Sequence, residues 1–199
     1  MDLFDRIDAV RAQRDVLAHP FYQRWSAGEL TREDLALYAG QYRHAVVALA
    51  DATRAAAAGE PSLAPHADEE AAHVELWDEF LSAVGGSAED ATPETASCAS
   101  AWSSADTPLE LLVGIYAIEA SQPAIAAVKA QGLRDFYDVS ATEYFDLHAR
   151  LDVEHAAKGR ELIAARLNGA DEDALVARAD AVLAANWELL DGVERQLAA

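Results

Sequence analysis

His148, Asp152 and His155 stand four and then three residues apart in a segment that reads as helix. At 3.6 residues per turn they share one stripe about 10 Å long. The stripe continues an apolar face, with Tyr144 and Phe145 before it and Leu162 and Ile163 after it. Two imidazoles and a carboxylate therefore fall where burial is expected. An unpaired buried carboxylate costs on the order of several kcal/mol or takes up a proton. A compensating cation is expected there, and a metal ion would be one.

Three further donors lie on other expected helices. Glu70 and His73 have the i, i+3 spacing by which helix bundles offer a carboxylate and an imidazole to a di-iron centre. Glu119 interrupts the apolar run LLVGIYAIEA, where a charged residue is unexpected. Glu70, His73, Glu119, His148, Asp152 and His155 together offer three carboxylates and three imidazoles. That set suits two iron ions, or iron with manganese, with positions left open for dioxygen. Each member alone has a plainer reading. Glu70 sits among Glu69 and Glu75 as one more solvated charge, Glu119 could pair with an arginine, and His19, His44 and His66 default to core or surface histidines. What lifts the set is that the polar interruptions fall on inward faces of three different helices.

Tyr22, Tyr38 and Tyr42 occupy positions typical of core aromatics whose hydroxyls reach water. Lys129, in AAVKAQG, would ordinarily be a surface lysine. The chain, however, has 13 arginines and only one other lysine, Lys158. An amine can lose its proton and act as a nucleophile, which a guanidinium cannot.

The elements that must position these groups are helical throughout. Residues 2–17 read as a helix ending before His19-Pro20, then a turn around 21–28. Thr31 caps a helix to about Ala58, stopped by Gly59 and Pro61. Another runs from about Ser62 to Val84, ending at Gly85-Gly86. A Ser/Ala/Thr-rich stretch, 86–107, holds a short helix between Pro93 and Ser103. Thr107-Pro108 opens a helix that Pro123 should kink before Gly132. Ser140 and Glu143 suggest a capping box for a helix through about Leu167. The last helix covers roughly 171–197. No segment alternates as a strand, so the expected architecture is all-α: one domain, residues 1–199, built as a bundle of about seven helices.

With 199 residues, one full core is affordable and two are not. A formal charge of −20 argues against nucleic acid as a partner, since phosphate binding needs a basic surface. An acidic, lysine-poor surface resembles that of proteins from halophilic, salt-accumulating organisms. The single cysteine, Cys98, excludes an intrachain disulfide and suits a reducing cytoplasm. The acidic, amphipathic N-terminal stretch reads as neither signal peptide nor membrane anchor, and no run was expected to reach the 18 apolar residues of a membrane span.

The segment HPFYQRWSAGELTREDLALYAGQYRHAV (19–46) resembles the opening of haem-oxygenase-like proteins related to TenA and PqqC, in particular the group typified by the chlamydial death-domain-associating protein (CADD). The resemblance continues through DEEAAHVELWDEF, IYAIEASQPAIAAVKAQGL, YFDLHARLDVEHA and NWELLDGV, and so covers nearly the whole chain. It implies the haem-oxygenase-like helical fold and a non-haem di-iron or mixed-metal oxygenase, with His73, Glu119, His148, Asp152 and His155 as ligands. The sixth position departs: where the group has a glutamate seven residues before the ligand histidine, this chain has His66. Glu70, spaced as in related oxidases, is the preferred substitute, with His66 and Glu69 as competitors.

CADD-type proteins make p-aminobenzoate, the aromatic part of folate, by consuming one of their own tyrosines, with an internal lysine proposed as nitrogen donor. The lysine's place, ten residues after the bridging glutamate, is Lys129, and the tyrosine positions correspond to Tyr22 and Tyr38. The resemblance thus implies a protein that uses dioxygen and a reductant and is spent in one turnover. A di-metal oxygenase acting on a diffusible small molecule would need the same ligands but neither Tyr22 nor Lys129. TenA-type thiamin-pyrimidine hydrolysis is disfavoured, because Gln41 stands where that pattern wants an aspartate and Cys98 lies in the connecting stretch. A regulatory or protein-binding module would leave the inward-facing donors without a purpose. Self-association into a homodimer suits the fold.

Overall fold

A computed structural model describes residues 1–198. Nine α-helices follow one another with no strand among the described residues: α1 (Leu3–Gln13), α2 (Pro20–Ala27), α3 (Arg32–Gly59), α4 (Ala64–Ala83), α5 (Pro93–Ser103), α6 (Pro108–Glu119), α7 (Gln122–Phe136), α8 (Glu143–Ala164) and α9 (Glu172–Leu197). Single 3-10 turns precede α2 and α4. The count exceeds the expected seven for two local reasons. Residues 20–27 form a helix rather than a turn, because Pro20 fits its first position and the His19 ring accepts the Phe21 N–H. The run from Pro108 breaks rather than kinks: Pro123 lacks the N–H that would close on the Glu119 carbonyl, and α6 ends there. The Arg11 guanidinium caps the loosened end through the Ala120 carbonyl and the Ser121 hydroxyl.

Residues 108–136 are, by length and composition, apolar enough to cross a membrane, which the sequence reading did not anticipate. The break divides that stretch, and α6 lies in the core with Leu112 to Glu119 all buried.

Capping boxes open α1 (Asp2, Asp5), α3 (Thr31, Asp34) and α6 (Thr107, Glu110), each satisfying two otherwise orphaned amides. The box expected from Ser140 and Glu143 does not form. The helix starts two residues later than the box needs, with Thr142 at the cap position, and the Thr142 hydroxyl donates to Asp146 and accepts from Arg134 instead.

The long α3 packs against α4 and α5, α8 packs on α6 and α7, and α9 closes the bundle against α1, α5 and α6. Ion pairs pin some of these seams at the surface, Arg43–Asp78 between α3 and α4 and Arg14–Asp180 between α1 and α9. Three buried tryptophans donate their indole N–H to backbone carbonyls: Trp25 to Lys129, Trp77 to Ala39, Trp102 to Val182. Burying each ring without that bond would leave a costly orphan donor. Gly132 admits Trp25 against α7, since a Cβ there would lie 2.7 Å from the indole. That contact fixes the register of the helix that carries Lys129.

Candidate metal centre

Three helices supply the donors. From α4 come His66, Glu70 and His73; from α8 come His148, Asp152 and His155. Both triplets repeat the i, i+4, i+7 spacing that aligns side chains on one stripe. The end of α6 contributes Glu119. The donors form two groups, each with ligand atoms within 4.8 Å of one another: His66, Glu70, Glu119 and His155 in one, Glu70, His73 and His148 in the other. Glu70 is shared. Its Oε1 lies 3.1 Å from His73 Nδ1, 3.8 Å from His66 Nε2 and 4.0 Å from His148 Nε2. Asp152 borders the first group, 3.5 Å from His155 Nδ1.

All six residues singled out from spacing are thus brought together. Among the described residues no arginine pairs with Glu119. His66, read by default as an ordinary histidine, sits among them with Nε2 2.8 Å from Glu119 Oε1. His66 and Glu70, competitors for one position in the sequence, both lie in the first group. Glu69 belongs to neither group; its half-exposed carboxylate holds His155 Nε2 at 3.0 Å from outside. Glu70 is common to both groups, and Glu119, the bridging carboxylate that the resemblance implies, lies in the first. The signal for His66 was present in the sequence: its spacing to Glu70 and His73 copies that of the α8 triplet.

Six buried atoms converge here without a hydrogen-bond partner: His66 Nε2, Glu119 Oε1, His148 Nε2, both Asp152 oxygens and His155 Nδ1. His66 and Glu119 approach closely, yet their orientation makes no hydrogen bond. The opposite ring nitrogens are engaged where that matters. His148 Nδ1 donates to the Tyr144 carbonyl at 2.6 Å, and Glu69 takes His155 Nε2, so His148 Nε2 and His155 Nδ1 face inward. Imidazole and carboxylate donors of this number fit two first-row divalent ions.

Protonation tells the same story. Burial, then the charges of Glu70 and Asp152, push Glu119 well above the usual carboxylate range. Burial depresses His66 and His148. For His155 burial is outweighed by the Asp152 carboxylate 3.5 Å away and by those of Glu119 and Glu69, which raise it to about 9. Burial would push Glu70 up too, but the His73 hydrogen bond and the surrounding imidazoles bring it below its ordinary value. Carboxylates crowded without a metal gather protons, and a bound ion displaces them.

A second buried cluster, around Lys129, lies beside this one. Lys129 on α7 is 2 % exposed and makes no ion pair among the described residues. Its Nζ lies 4.6 Å from the ring centre of Tyr42, 4.9 Å from Tyr22, 5.4 Å from Tyr38 and 5.7 Å from Phe145. Desolvation drives the amine well below its ordinary value, toward the neutral base. The hydroxyls of Tyr22 and Tyr38 share a 2.8 Å hydrogen bond, and burial raises both phenols well above their usual range. Tyr22, Tyr38 and Lys129 are therefore brought together as the resemblance implied. The expectation of solvated tyrosine hydroxyls fails, because α2, taken for a turn, closes over them.

The two clusters are joined through Tyr144 and Trp77, rings to which the sequence reading gave no functional part. Tyr144 stacks on His148 with centroids 4.0 Å apart, Trp77 meets Tyr144 at 4.8 Å, and Trp77 meets Tyr42 at 5.2 Å and Tyr38 at 6.0 Å. Residues of the thiaminase-like alternative are otherwise employed. Gln41 holds the start of α5 through Thr92 N and the Asp90 carbonyl. Cys98 is fully buried, with its thiol pushed up by burial and poorly suited to attack.

Fold and donors together define an all-α, haem-oxygenase-like protein with a candidate di-metal centre. Residues 66–187 match the family described as iron-containing redox enzyme, and the chain belongs to that family. It is 30 % identical to a 4-aminobenzoate synthase of Nitrosomonas europaea, over 98 % of this chain and 92 % of the relative. It is likewise 30 % identical to a 4-aminobenzoate synthase of Chlamydia muridarum, over 82 % of this chain and 78 % of the other. Among solved structures, a haem-oxygenase-like domain from Shewanella denitrificans superposes with a TM-score of 0.80 at 19 % identity, covering 100 % of this chain and 94 % of that one. A TenA homologue from P. horikoshii gives 0.72 at 17 % identity, covering 96 % of each chain. Those two likenesses speak to the fold alone.

Proposed function

We propose that this protein is a dioxygen-dependent di-metal oxidoreductase that makes 4-aminobenzoate from its own Tyr22 or Tyr38, with Lys129 as the source of nitrogen. The observation that carries the reading is Lys129: an amine buried without a counter-ion, ringed by three tyrosines, in a chain whose relatives are named 4-aminobenzoate synthase. A lysine kept only for packing would be cheaper as methionine or leucine. Kept neutral, it offers a lone pair to a ring made electron-poor by oxidation.

His66, Glu70, His73, Glu119, His148, Asp152 and His155 would hold the ions. Iron, or iron with manganese, supplies the one-electron and dioxygen chemistry when bound, given an external reductant. The residues do the rest. Tyr22 and Tyr38 keep a proton on a shared hydroxyl pair, and the closed aromatic walls exclude water from the reacting ring. The nitrogen lies on one of the walls. Because ring and nitrogen both come from the chain, each molecule acts once.

The test is isotopic. Protein carrying ring-¹³C tyrosine and ε-¹⁵N lysine, loaded with ferrous iron or iron and manganese, is exposed to oxygen with a reductant. The reading expects released 4-aminobenzoate to carry both labels. A product with unlabelled nitrogen would remove Lys129 from this role, and no labelled product would remove the internal substrate.

A further inference from the structure

The candidate metal centre is not buried evenly. The side chains of His66 and His155 are each 11 % exposed, against 1–3 % for Glu70, His73, Glu119, His148 and Asp152. Their rings stack with centroids 3.9 Å apart, so the centre has one open end. A small void of about 10 Å³ lies at that end. His66, Glu119 and His155, all of the first donor group, close its inner side. Leu63, Leu112, Ile115 and Gly159 form most of the rest.

The void suits an apolar occupant. Its volume is about what one small molecule needs, and water would also want roughly two to four polar partners. The lining offers few. The Thr53 hydroxyl, also in the wall, is spent on the Ala50 carbonyl at 3.0 Å. His66 Nε2, Glu119 Oε1 and His155 Nδ1 are covered and give the void no polar surface.

Gly159 keeps the space open. It stands one turn after His155 on the same stripe of α8. Glycine weakens a helix interior, and packing does not ask for it here. A Cβ at this position would come no closer than 3.5 Å to Tyr116, an ordinary contact. What the missing side chain leaves is room beside His155.

Leu112 separates the void from a surface cavity of about 350 Å³, whose wall it also forms. That cavity lies between the end of α3 and the start of α6, with Ala55, Gly59 and Pro108 exposed along it. Glu60 and Asp106 line it too, which would repel an anion but leave a neutral molecule unaffected. Rotation of the one leucine side chain would connect cavity and void.

We propose that the void is a holding site for dioxygen and that Leu112 is the gate by which it enters from the surface cavity. That dioxygen is the molecule required rests on the function proposed above; the size and apolarity of the site do not.

The test begins without turnover. Full-length protein carrying zinc, which is diamagnetic and redox-inert, is placed under oxygen pressure and its methyl proton relaxation is measured. Dissolved oxygen should relax the methyls of Leu63, Leu112 and Ile115 several-fold more than those of Leu189 and Val193, which are fully buried on α9. Nitric oxide, a diatomic of similar size, then reports passage in ferrous-loaded protein under argon. Leu112→Trp, whose ring can extend into the surface cavity, should slow its uptake about tenfold, and Leu112→Ala should speed it. Ala157→Trp, in the separate open cavity that borders Asp152, should change nothing. No excess relaxation at the three side chains, uptake indifferent to both Leu112 variants, or slowing by Ala157→Trp instead would overturn the proposal. The proposed reaction is judged apart from it. Dioxygen seated in the void of a protein that forms no 4-aminobenzoate counts against the reaction, and product formed by a protein whose void takes up no dioxygen counts against the site.

Discussion

His66 Nε2 stands 2.8 Å from Glu119 Oε1, buried, with no hydrogen bond joining them. Across two helices, a ring nitrogen and a carboxylate oxygen lie close enough for a hydrogen bond but in an orientation that makes none, while two ligands of one metal ion stand about this far apart.

Two divalent ions per chain are therefore expected on loading, measured by elemental analysis after desalting. At a hundredfold excess over the dissociation constant each ion should stabilise the fold by about 2.7 kcal/mol. For a chain of this length that raises the melting temperature by roughly 5–10 °C, reversed by chelator. An unchanged melt with no retained metal would contradict the assignment.

Substitutions should separate the two positions. Glu119→Gln removes one carboxylate from the first donor group, so about one ion per chain should remain. The metal-free variant should also be more stable, by about 1–3 kcal/mol, because a crowded buried acid becomes a neutral amide. Glu70 belongs to both groups, and Glu70→Gln should lose both ions. Retention of two ions in Glu70→Gln would show that it is not shared.

Glu69 is half-exposed and touches the centre only through His155. Glu69→Gln should leave folding stability within about 0.5 kcal/mol while weakening metal affinity about tenfold, the cost of a lost orienting partner. Competition with a metal-binding dye measures the second effect and denaturant unfolding the first.

Lys129 makes stability depend on pH. Its folded value is depressed by burial, so between the folded value and about 10.4 the unfolded chain binds more protons than the folded one. Stability contributed at this site therefore grows as pH rises toward 10.4 and is lost as pH falls through the folded value. Lys129→Met should be more stable than wild type near neutrality, by about 1 kcal/mol or more, and the gap should narrow from pH 8 to pH 10. Parallel denaturation curves with a constant gap would show that the amine is charged in the fold.

Much of this was legible in the sequence, for identifiable reasons. The boundaries of α5 followed from Pro93 and the Ser/Ala run, and the α8 stripe from a period that places polar residues on an apolar face. The α2 helix escaped because eight residues are too few for a period to declare itself, and its start is set by a histidine acting as a cap. His66 entered the sequence reading only as a competitor of Glu70 for one position; that it stands beside Glu119 depends on the approach of α6, which no local pattern shows. Tyr144 and Trp77 looked like core aromatics, and they are. Their position between a candidate ligand and Lys129 depends on how α3, α4 and α8 meet, which no local pattern encodes. Glu69's part likewise exists only across the α4–α8 seam.

The most direct measurement is the intact mass of the chain, loaded without oxygen with ferrous iron or iron and manganese, before and after exposure to oxygen and a reductant. The account predicts a loss of mass mapping to Tyr22 or Tyr38, a change at Lys129, and no more than one 4-aminobenzoate released per chain. A chain of unchanged mass that binds two metals and consumes oxygen would contradict it and assign the centre to an external substrate.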